Sequence, residues 1–305
     1  RPGRDDRRTN HGECTPLLPT PALVRGDTQE HHSFMPLSVH DPDLSHRLTL
    51  ARMLARRAGA IQRERYETGL TIDTKSATID LVTEVDRACE ALIVDGIESA
   101  DLGDAILAEE GHGEDSNAPY RWIIDPLDGT TNFAHGFPRF CVSIGIERTK
   151  PGAEPERVIG IVYDPLLDEC FEAALGEGAF LGERRLHVTQ EDDLGRSLVA
   201  TGFSYDVHES DDDNLASFRN VVKTARGIRR DGSAALDLCY VAAGRLDAYW
   251  ELKLHPWDVA AGFLIVEEAG GRVTDLRGGP ADRSGREVVS SNARVHDALL
   301  AQLAF

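Results

Sequence analysis

The strongest local chemical signal in the chain is the segment Trp122–Phe133 (WIIDPLDGTTNF), where Asp125 and Asp128 stand three residues apart. A run of apolar residues delivers Asp125 at the end of a strand, and Pro126 is expected to turn the chain there. Two carboxylates so placed can share or bridge hard cations, which prefer oxygen ligands, and the carbonyl of Leu127 between them is a further candidate ligand. Gly129, Thr130 and Thr131 then open a short helix or turn whose free backbone N–H groups suit a phosphate. Read alone, a strand, an Asp-Pro turn and an aspartate helix cap explain the same letters.

Two other segments supply matching chemistry. Glu109 and Glu110 end a predicted strand just before Gly111. Adjacent strand side chains point to opposite faces, so only one of the two can face a cation while the strand lasts, and Glu109 is taken as that ligand. Asp258, in Trp257–Gly262 (WDVAAG), enters from a helix N-terminus, where the helix dipole favours a carboxylate. Capping of that helix and metal ligation are compatible. His135 and His255 flank these segments, but hard cations rarely use imidazole, and both are read as loop packing. Trp257 is read as core packing beneath Asp258, and Cys141 and Cys239 as buried small hydrophobes.

Elements that can position these groups are legible in the apolar periodicity. Residues 43–67 read as a helix with Leu50, Leu54, Ala58 and Ile61 on one face. A second helix starts at Thr83, where Thr83 and Asp86 have capping-box spacing. Strands are expected at 105–108, 121–124, 140–146, 158–163, 171–175 and 178–181, with a turn at Gly182 and Glu183. Beyond residue 193 come strands at 197–201, 247–251 and 271–275 and helices at 213–224, 233–243 and 257–269. Mixed strands and helices in this order imply an α+β layered architecture. A shift in composition near residue 190 divides it into an N-terminal α+β subdomain (41–190), holding most of the acids, and a C-terminal α/β subdomain (191–305), holding Asp258. Residues 1–40, with clustered Arg and Asp and no apolar period, read as a flexible tail, with Met35 a plausible true start.

Composition narrows the function further. The chain has 305 residues, 41% hydrophobic, with 33 basic and 52 acidic side chains for a formal charge of −19. Such a surface repels nucleic-acid backbones and anionic membranes, so no direct nucleic-acid binding is expected. An acidic protein that acts on an anion must invert its field locally, and bound cations are the simplest means. No apolar run approaches the roughly 20 residues of a membrane span. The five scattered cysteines form no CxxC pair, which fits a reducing, cytoplasmic setting.

Asp125–Phe133 (DPLDGTTNF) and Trp257–Gly262 (WDVAAG), together with Lys75, Asp80–Asp86 (DLVTEVD) and Glu109-Glu110, resemble the signatures of the inositol monophosphatase family, in the same order. The resemblance covers about residues 44–303 and implies an αβαβα sandwich that hydrolyses inositol monophosphate or a similar polyol phosphate. Fructose 1,6-bisphosphate, histidinol phosphate and 3′-phosphonucleotides are the alternative substrates, and an RNA-polymerase-associated regulatory role is an alternative of another class. It further implies two to three Mg²⁺ ions. Glu109, Asp125 and the Leu127 carbonyl would hold one; Asp125, Asp128 and Asp258 a second; Glu109 and waters a weaker third. Asp86 and Thr130 would orient the attacking water, and the N–H groups of Gly129 and Thr130 would hold the phosphate. Ala234 and Glu251 would contact substrate hydroxyls, with Thr201–Phe203 bordering the entrance. Lys75 would attract phosphate or steady Asp80 and the third ion. A homodimer and sensitivity to lithium complete what the resemblance implies.

Overall fold

The computed structural model describes residues 37–75, 80–111, 113, 118–150 and 152–304. The tail expected over 1–40 lies outside this set except for residues 37–40. Of these, Leu37 is buried and its carbonyl accepts a hydrogen bond from Arg52 Nη2 at 2.8 Å.

Helix α1 (Pro42–Arg65) begins where Asp41 accepts a hydrogen bond from the Asp43 amide and proline occupies the first turn. Its buried stripe includes Leu44, Leu48, Ala51, Leu54, Ala58 and Gln62, at helical spacing. A short antiparallel pair, β1 (Ile72–Thr74) and β2 (Leu81–Thr83), leads into α2 (Glu84–Ser99). The capping box expected at Thr83 and Asp86 is formed. These two helices cover one face of a seven-stranded sheet in the order β3 (Ala105–Ala108), β4 (Tyr120–Asp128), β5 (Cys141–Arg148), β6 (Glu156–Asp164), β7 (Glu169–Ala174), β8 (Gly178–Leu181) and β9 (Arg184–Arg185). Only β3 and β4 are parallel. Between β4 and β5 lies the one-and-a-half-turn helix α3 (Thr130–Ala134).

The second sheet has the order β11 (Gly227–Arg229), β10 (Leu198–Thr201), β12 (Ala248–Leu252), β14 (Glu287–Ser291) and β13 (Arg272–Thr274). Helices α5 (Ala234–Ala242) and α6 (Pro256–Glu268) fill the layer between the sheets, almost wholly buried and apolar on every side. Helices α4 (Leu215–Val222) and α7 (His296–Leu300) close the far face around Trp250, Val289 and Leu299. Helix, sheet, helix, sheet and helix follow one another, the layered α+β sandwich that the element order implied. Strands β1, β2, β9, β11 and β14 and helix α7 were not anticipated. The differences elsewhere are shifts of a few residues at element ends.

One difference bears on chemistry. β4 does not stop before Pro126 but stays extended to Asp128, pairing Asp125 with Ser143 and Asp128 with Cys141, with a register shift between them. Proline has no N–H to give to a ladder, so it sits in a bulge of the strand and not in a turn. Gln62 Nε2, buried on α1, donates to the Pro126 carbonyl at 2.8 Å and so holds the bulge.

Candidate active site

The bulge brings Asp125 and Asp128 to one side of the strand end, and α6 brings Asp258 against them. Ligand oxygens of these three carboxylates lie within 4.8 Å of one another. Each carboxylate commits one oxygen to the protein. Asp125 Oδ1 accepts from the Leu127 amide at 2.9 Å, and Asp258 Oδ2 accepts from the His255 amide at 2.7 Å. Asp128 Oδ2 accepts from Ser233 Oγ at 2.6 Å and from the Ala235 amide at 2.8 Å, which makes it the cap of α5 from a distant strand. The side chains are thereby fixed while a second oxygen of each remains for a ligand.

The electrostatics of the group are unfavourable without positive charge. Burial raises the Asp125 carboxyl well above its ordinary range, and the charges of Glu109, Asp128 and Asp258 raise it further. Asp258 is raised by burial and by Asp128 and Glu109, and Asp128 by burial despite its three donors. Buried carboxylates that repel one another and are locked by backbone donors fit a hard divalent cation.

Glu109 and Glu110 lie just past the end of β3, so strand alternation does not reach them. Lys75 Nζ donates to both, at 2.7 and 2.5 Å. Burial alone would lower the lysine, but the two carboxylates outweigh it and hold the ammonium above its usual value. Glu109 is pushed up to about 7 by burial and by Glu110, against the pull of Lys75. Lys75 therefore neutralises these acids, and its backbone amide donates to the Asp80 carbonyl at 2.9 Å.

Asp86, fully buried, holds α2 and the site together. Its Oδ2 accepts from the Thr83 amide and hydroxyl at 2.9 and 2.6 Å, and its Oδ1 lies 2.8 Å from Thr130 Oγ1. The Thr130 hydroxyl is also 3.0 Å from the Leu127 carbonyl, so its one proton can serve either acceptor. The helix cap read from the sequence and the contact with Thr130 thus coexist, one on each oxygen. Gly129 joins β4 to α3 with φ +94°, and a Cβ there would come within 2.8 Å of the Arg139 carbonyl, so glycine is required. The amides of Thr130 and Thr131, in the first turn of α3, have no partner inside the helix.

The cavity opening on these groups is walled by Ala234, at the start of α5, and Glu251, near the end of β12. Glu251 accepts from Tyr249 Oη at 2.5 Å and is pushed up to about 7, chiefly by burial. Gly202 leaves room for it: a Cβ there would overlap the Glu251 carboxylate. Trp257 is not beneath Asp258 in the core; it is half-buried on the cavity wall and stacks on His255 at 4.8 Å between ring centres. His135 is the exposed C-cap residue of α3. Cys141 and Cys239 are buried and unpaired, as are Cys89 and Cys170. Sequence reasoning assigned no contact to Ser233 or Asn132 and did not name Tyr205. Asn132 Nδ2 lies 2.7 Å from the Arg139 carbonyl and 2.8 Å from that of Asp231, tying α3 to the approach of α5. The polar Gln62 on the apolar face of α1 is a signal that could have pointed to such internal bracing.

A layered α+β sandwich whose cavity gathers Asp125 and Asp128 from β4 and Asp258 from α6 is, with the relatives below, that of a phosphoric monoester hydrolase. Residues 43–304 match the model of the inositol monophosphatase family, and the chain belongs to that family. It is 44% identical to an inositol-1-monophosphatase of Synechocystis over 234 residues, covering 76% of this chain and 80% of that protein. It is likewise 44% identical to the Nus factor SuhB of Pseudomonas aeruginosa over 261 residues, covering 83% and 94%. Among solved structures, an inositol monophosphatase from Anabaena superposes with a TM-score of 0.75 at 39% identity, covering 85% of this chain and 96% of that one. Among the described residues no helix is long and apolar enough to cross a membrane.

Proposed function

We propose that the chain hydrolyses inositol monophosphate or a similar polyol phosphate with two to three Mg²⁺ ions. The observation that carries this reading is the carboxylate group itself: Asp125, Asp128 and Asp258 arrive from β4 and α6, each anchored through one oxygen, with ligand atoms within 4.8 Å. Glu109, Asp125 and the Leu127 carbonyl would hold one ion, Asp125, Asp128 and Asp258 a second, and Glu109 a weaker third. Bound cations supply positive charge to the phosphate oxygens and make water a better nucleophile near neutral pH.

The protein groups do the rest. The amides of Gly129 and Thr130 point donors at the phosphate. Thr130 and Asp86 orient a water for in-line attack, the Thr130 hydroxyl passing its hydrogen bond to Asp86 Oδ1 at 2.8 Å. Lys75 keeps Glu109 and Glu110 from repelling the entering anion. Glu251 accepts from polyol hydroxyls beside Ala234. Relatives named for inositol phosphate favour this substrate over fructose 1,6-bisphosphate, histidinol phosphate or a 3′-phosphonucleotide. A homodimer, a cytoplasmic location and inhibition by lithium belong to the same reading; the four buried free cysteines accord with a reducing compartment.

Phosphate release with Mg²⁺ across inositol 1-phosphate, glycerol 2-phosphate, fructose 1,6-bisphosphate, histidinol phosphate and 3′-phosphoadenosine 5′-phosphate tests the reading, beside Asp125→Asn. Inositol 1-phosphate should be the best substrate and the variant inactive. Release from none would refute it. The similarity to a Nus factor over 94% of its length favours a second reading, a protein that also binds transcription machinery through protein contacts. Capture of RNA polymerase by both wild type and Asp125→Asn would establish it; capture by neither would end it.

A further inference from the structure

The segment between β10 and α4 is a loop with clamped ends. Asn214 Nδ2 donates to the Gly202 carbonyl at 2.8 Å, and Trp250 Nε1 donates to Asn214 Oδ1 at 2.7 Å, so both ends of residues 203–213 are held on β12. Its middle is held as well. Lys253, one residue past the end of β12 and in the left-handed region at φ +57°, donates from Nζ to Asp206 Oδ2 and to Ser210 Oγ, each at 2.8 Å. Asp212 lies 3.8 Å from the same ammonium. A compact loop with close ends and internal ties is a fixed structure and not a slack connection. Holding Lys253 at positive φ is unfavourable for a residue with a Cβ, and the loop contacts offset that strain.

The loop lines the cavity with Phe203, Ser204, Tyr205 and Val207, and of these Tyr205 carries the longest polar side chain. Its ring flank is open to solvent, with 46% of the residue exposed. The same cavity is lined by Asp125, Asp128, Asp258, Gly129 and Thr130. A tyrosine phenol keeps its proton at physiological pH, so this hydroxyl is a donor. Among the described residues the hydroxyl has no hydrogen-bond partner. A donor so placed lacks only an acceptor, and one whose charge suits a cation-lined cleft is an oxygen of a phosphate.

We infer that Tyr205 is a substrate-contacting residue, its hydroxyl donating a hydrogen bond to a phosphate oxygen of the bound ester from a loop that Lys253 and Asn214 hold over the cleft. The inference rests on the phosphomonoesterase reading and adds to it a donor from the loop after β10, in the cavity that Gly129 and Thr130 also line. Because the contact is to the phosphate and not to the alcohol, it serves all ester substrates alike. Leaving-group selection then falls to Ala234 and Glu251, which line the same cavity.

The test is Tyr205→Phe, which keeps the ring and removes the donor, assayed with inositol 1-phosphate and p-nitrophenyl phosphate at saturating Mg²⁺. A thermal-shift titration with inorganic phosphate in Mg²⁺ accompanies it. A hydrogen bond to a charged group predicts a fall of about tenfold in kcat/KM for both esters, and a similar weakening of phosphate binding. The Mg²⁺ dependence and the melting temperature without phosphate should stay at wild-type values. Lys253→Met, which frees the loop, should raise KM for both esters. Unchanged kinetics and phosphate binding in Tyr205→Phe would overturn the inference, as would a loss confined to one ester. No release by the wild type would overturn the phosphatase reading instead, while the phosphate titration would still report on the tyrosine.

Discussion

Gly160, in the middle of the seven-stranded sheet, lies directly beneath the backbone of Ala261 in α6: a Cβ at position 160 would stand 2.6 Å from the Ala261 carbonyl oxygen. Its neighbour across the ladder is Gly145, in register with it, where a Cβ would stand 2.7 Å from Ala260 Cβ. Two paired glycines thus form the floor on which α6 rests, two and three residues beyond Asp258. The depth of that contact sets the distance between Asp258 and the two aspartates at the end of β4.

Substitution of Gly160 by Ala should therefore act on the cation site from the other side of the helix. The methyl group collides with backbone, which cannot rotate away, so α6 must lift. Overpacking of this kind costs about 1–3 kcal/mol, visible as a lower urea midpoint. The displaced Asp258 should also raise the Mg²⁺ concentration needed for half-maximal activity. A variant as stable as wild type, with an unchanged Mg²⁺ dependence, would show that α6 does not rest on this floor.

Asp125→Asn should separate stability from function. Asp125 is buried beside Glu109, Asp128 and Asp258, and burial first, then the repulsion of these charges, raises its carboxyl. Removing that charge relieves the folded state when no cation is present, so the metal-free variant should melt above the metal-free wild type. Added Mg²⁺ should stabilise the wild type and leave the variant nearly unmoved. Differential scanning with chelator and then with Mg²⁺ reads both effects. Equal Mg²⁺ stabilisation of the two proteins would place the cation elsewhere.

The acids themselves were legible because each sits in a short local pattern: Asp125 and Asp128 in DPLDG, Asp258 at a helix start, Asp86 in a capping box. What they bond to was not. Asp128 caps α5 through Ser233 and Ala235, more than a hundred residues away, and nothing in the letters around Asp128 announces such a partner. The same limit explains the strands that were missed. β11, only Gly227–Arg229, and β9, only Arg184–Arg185, are edge strands too short to show alternation, and they exist because a neighbouring strand offers them a ladder. β14 is a five-residue strand whose register is set by β12 and β13. Tyr205 could not be found from spacing, since its place depends on how Lys253 folds the loop.

His296 makes the second sheet acid-sensitive. The ring is fully buried, with Nε2 at 2.8 Å from Thr274 Oγ1 and Nδ1 at 2.8 Å from Ser291 Oγ. Burial, then the nearby Arg272, lowers it to about 4 from an ordinary 6.5. The folded state thus binds this proton more weakly than the unfolded state, so the contribution to stability is present above pH 6.5 and is lost as pH falls towards 4. The urea midpoint should drop across that window, and His296→Gln should flatten the slope, at some cost in stability at pH 7. An identical pH profile in the variant would exclude the histidine as the source.

Glu251 should make substrate affinity depend on pH in a way that distinguishes one phosphate ester from another. Burial pushes its carboxyl to about 7, with the charge of Asp128 adding to this and the Tyr249 hydroxyl and Arg230 opposing it. Above that value it is ionised and accepts hydrogen bonds; below it, a proton occupies one oxygen and an acceptor is lost. If polyol hydroxyls donate to Glu251, KM for inositol 1-phosphate should rise as pH falls below 7, by up to about tenfold per unit. The KM of p-nitrophenyl phosphate, which has no hydroxyl to offer, should lack that rise. Metal affinity also falls with acid, so both esters must be measured at saturating Mg²⁺, where the difference between them isolates the wall contact. Glu251→Gln removes the titration but keeps an acceptor, and should bring the two profiles together at every pH. Parallel profiles already in the wild type would mean that the polyol does not lean on Glu251, and that selection among alcohols is made elsewhere in the cleft.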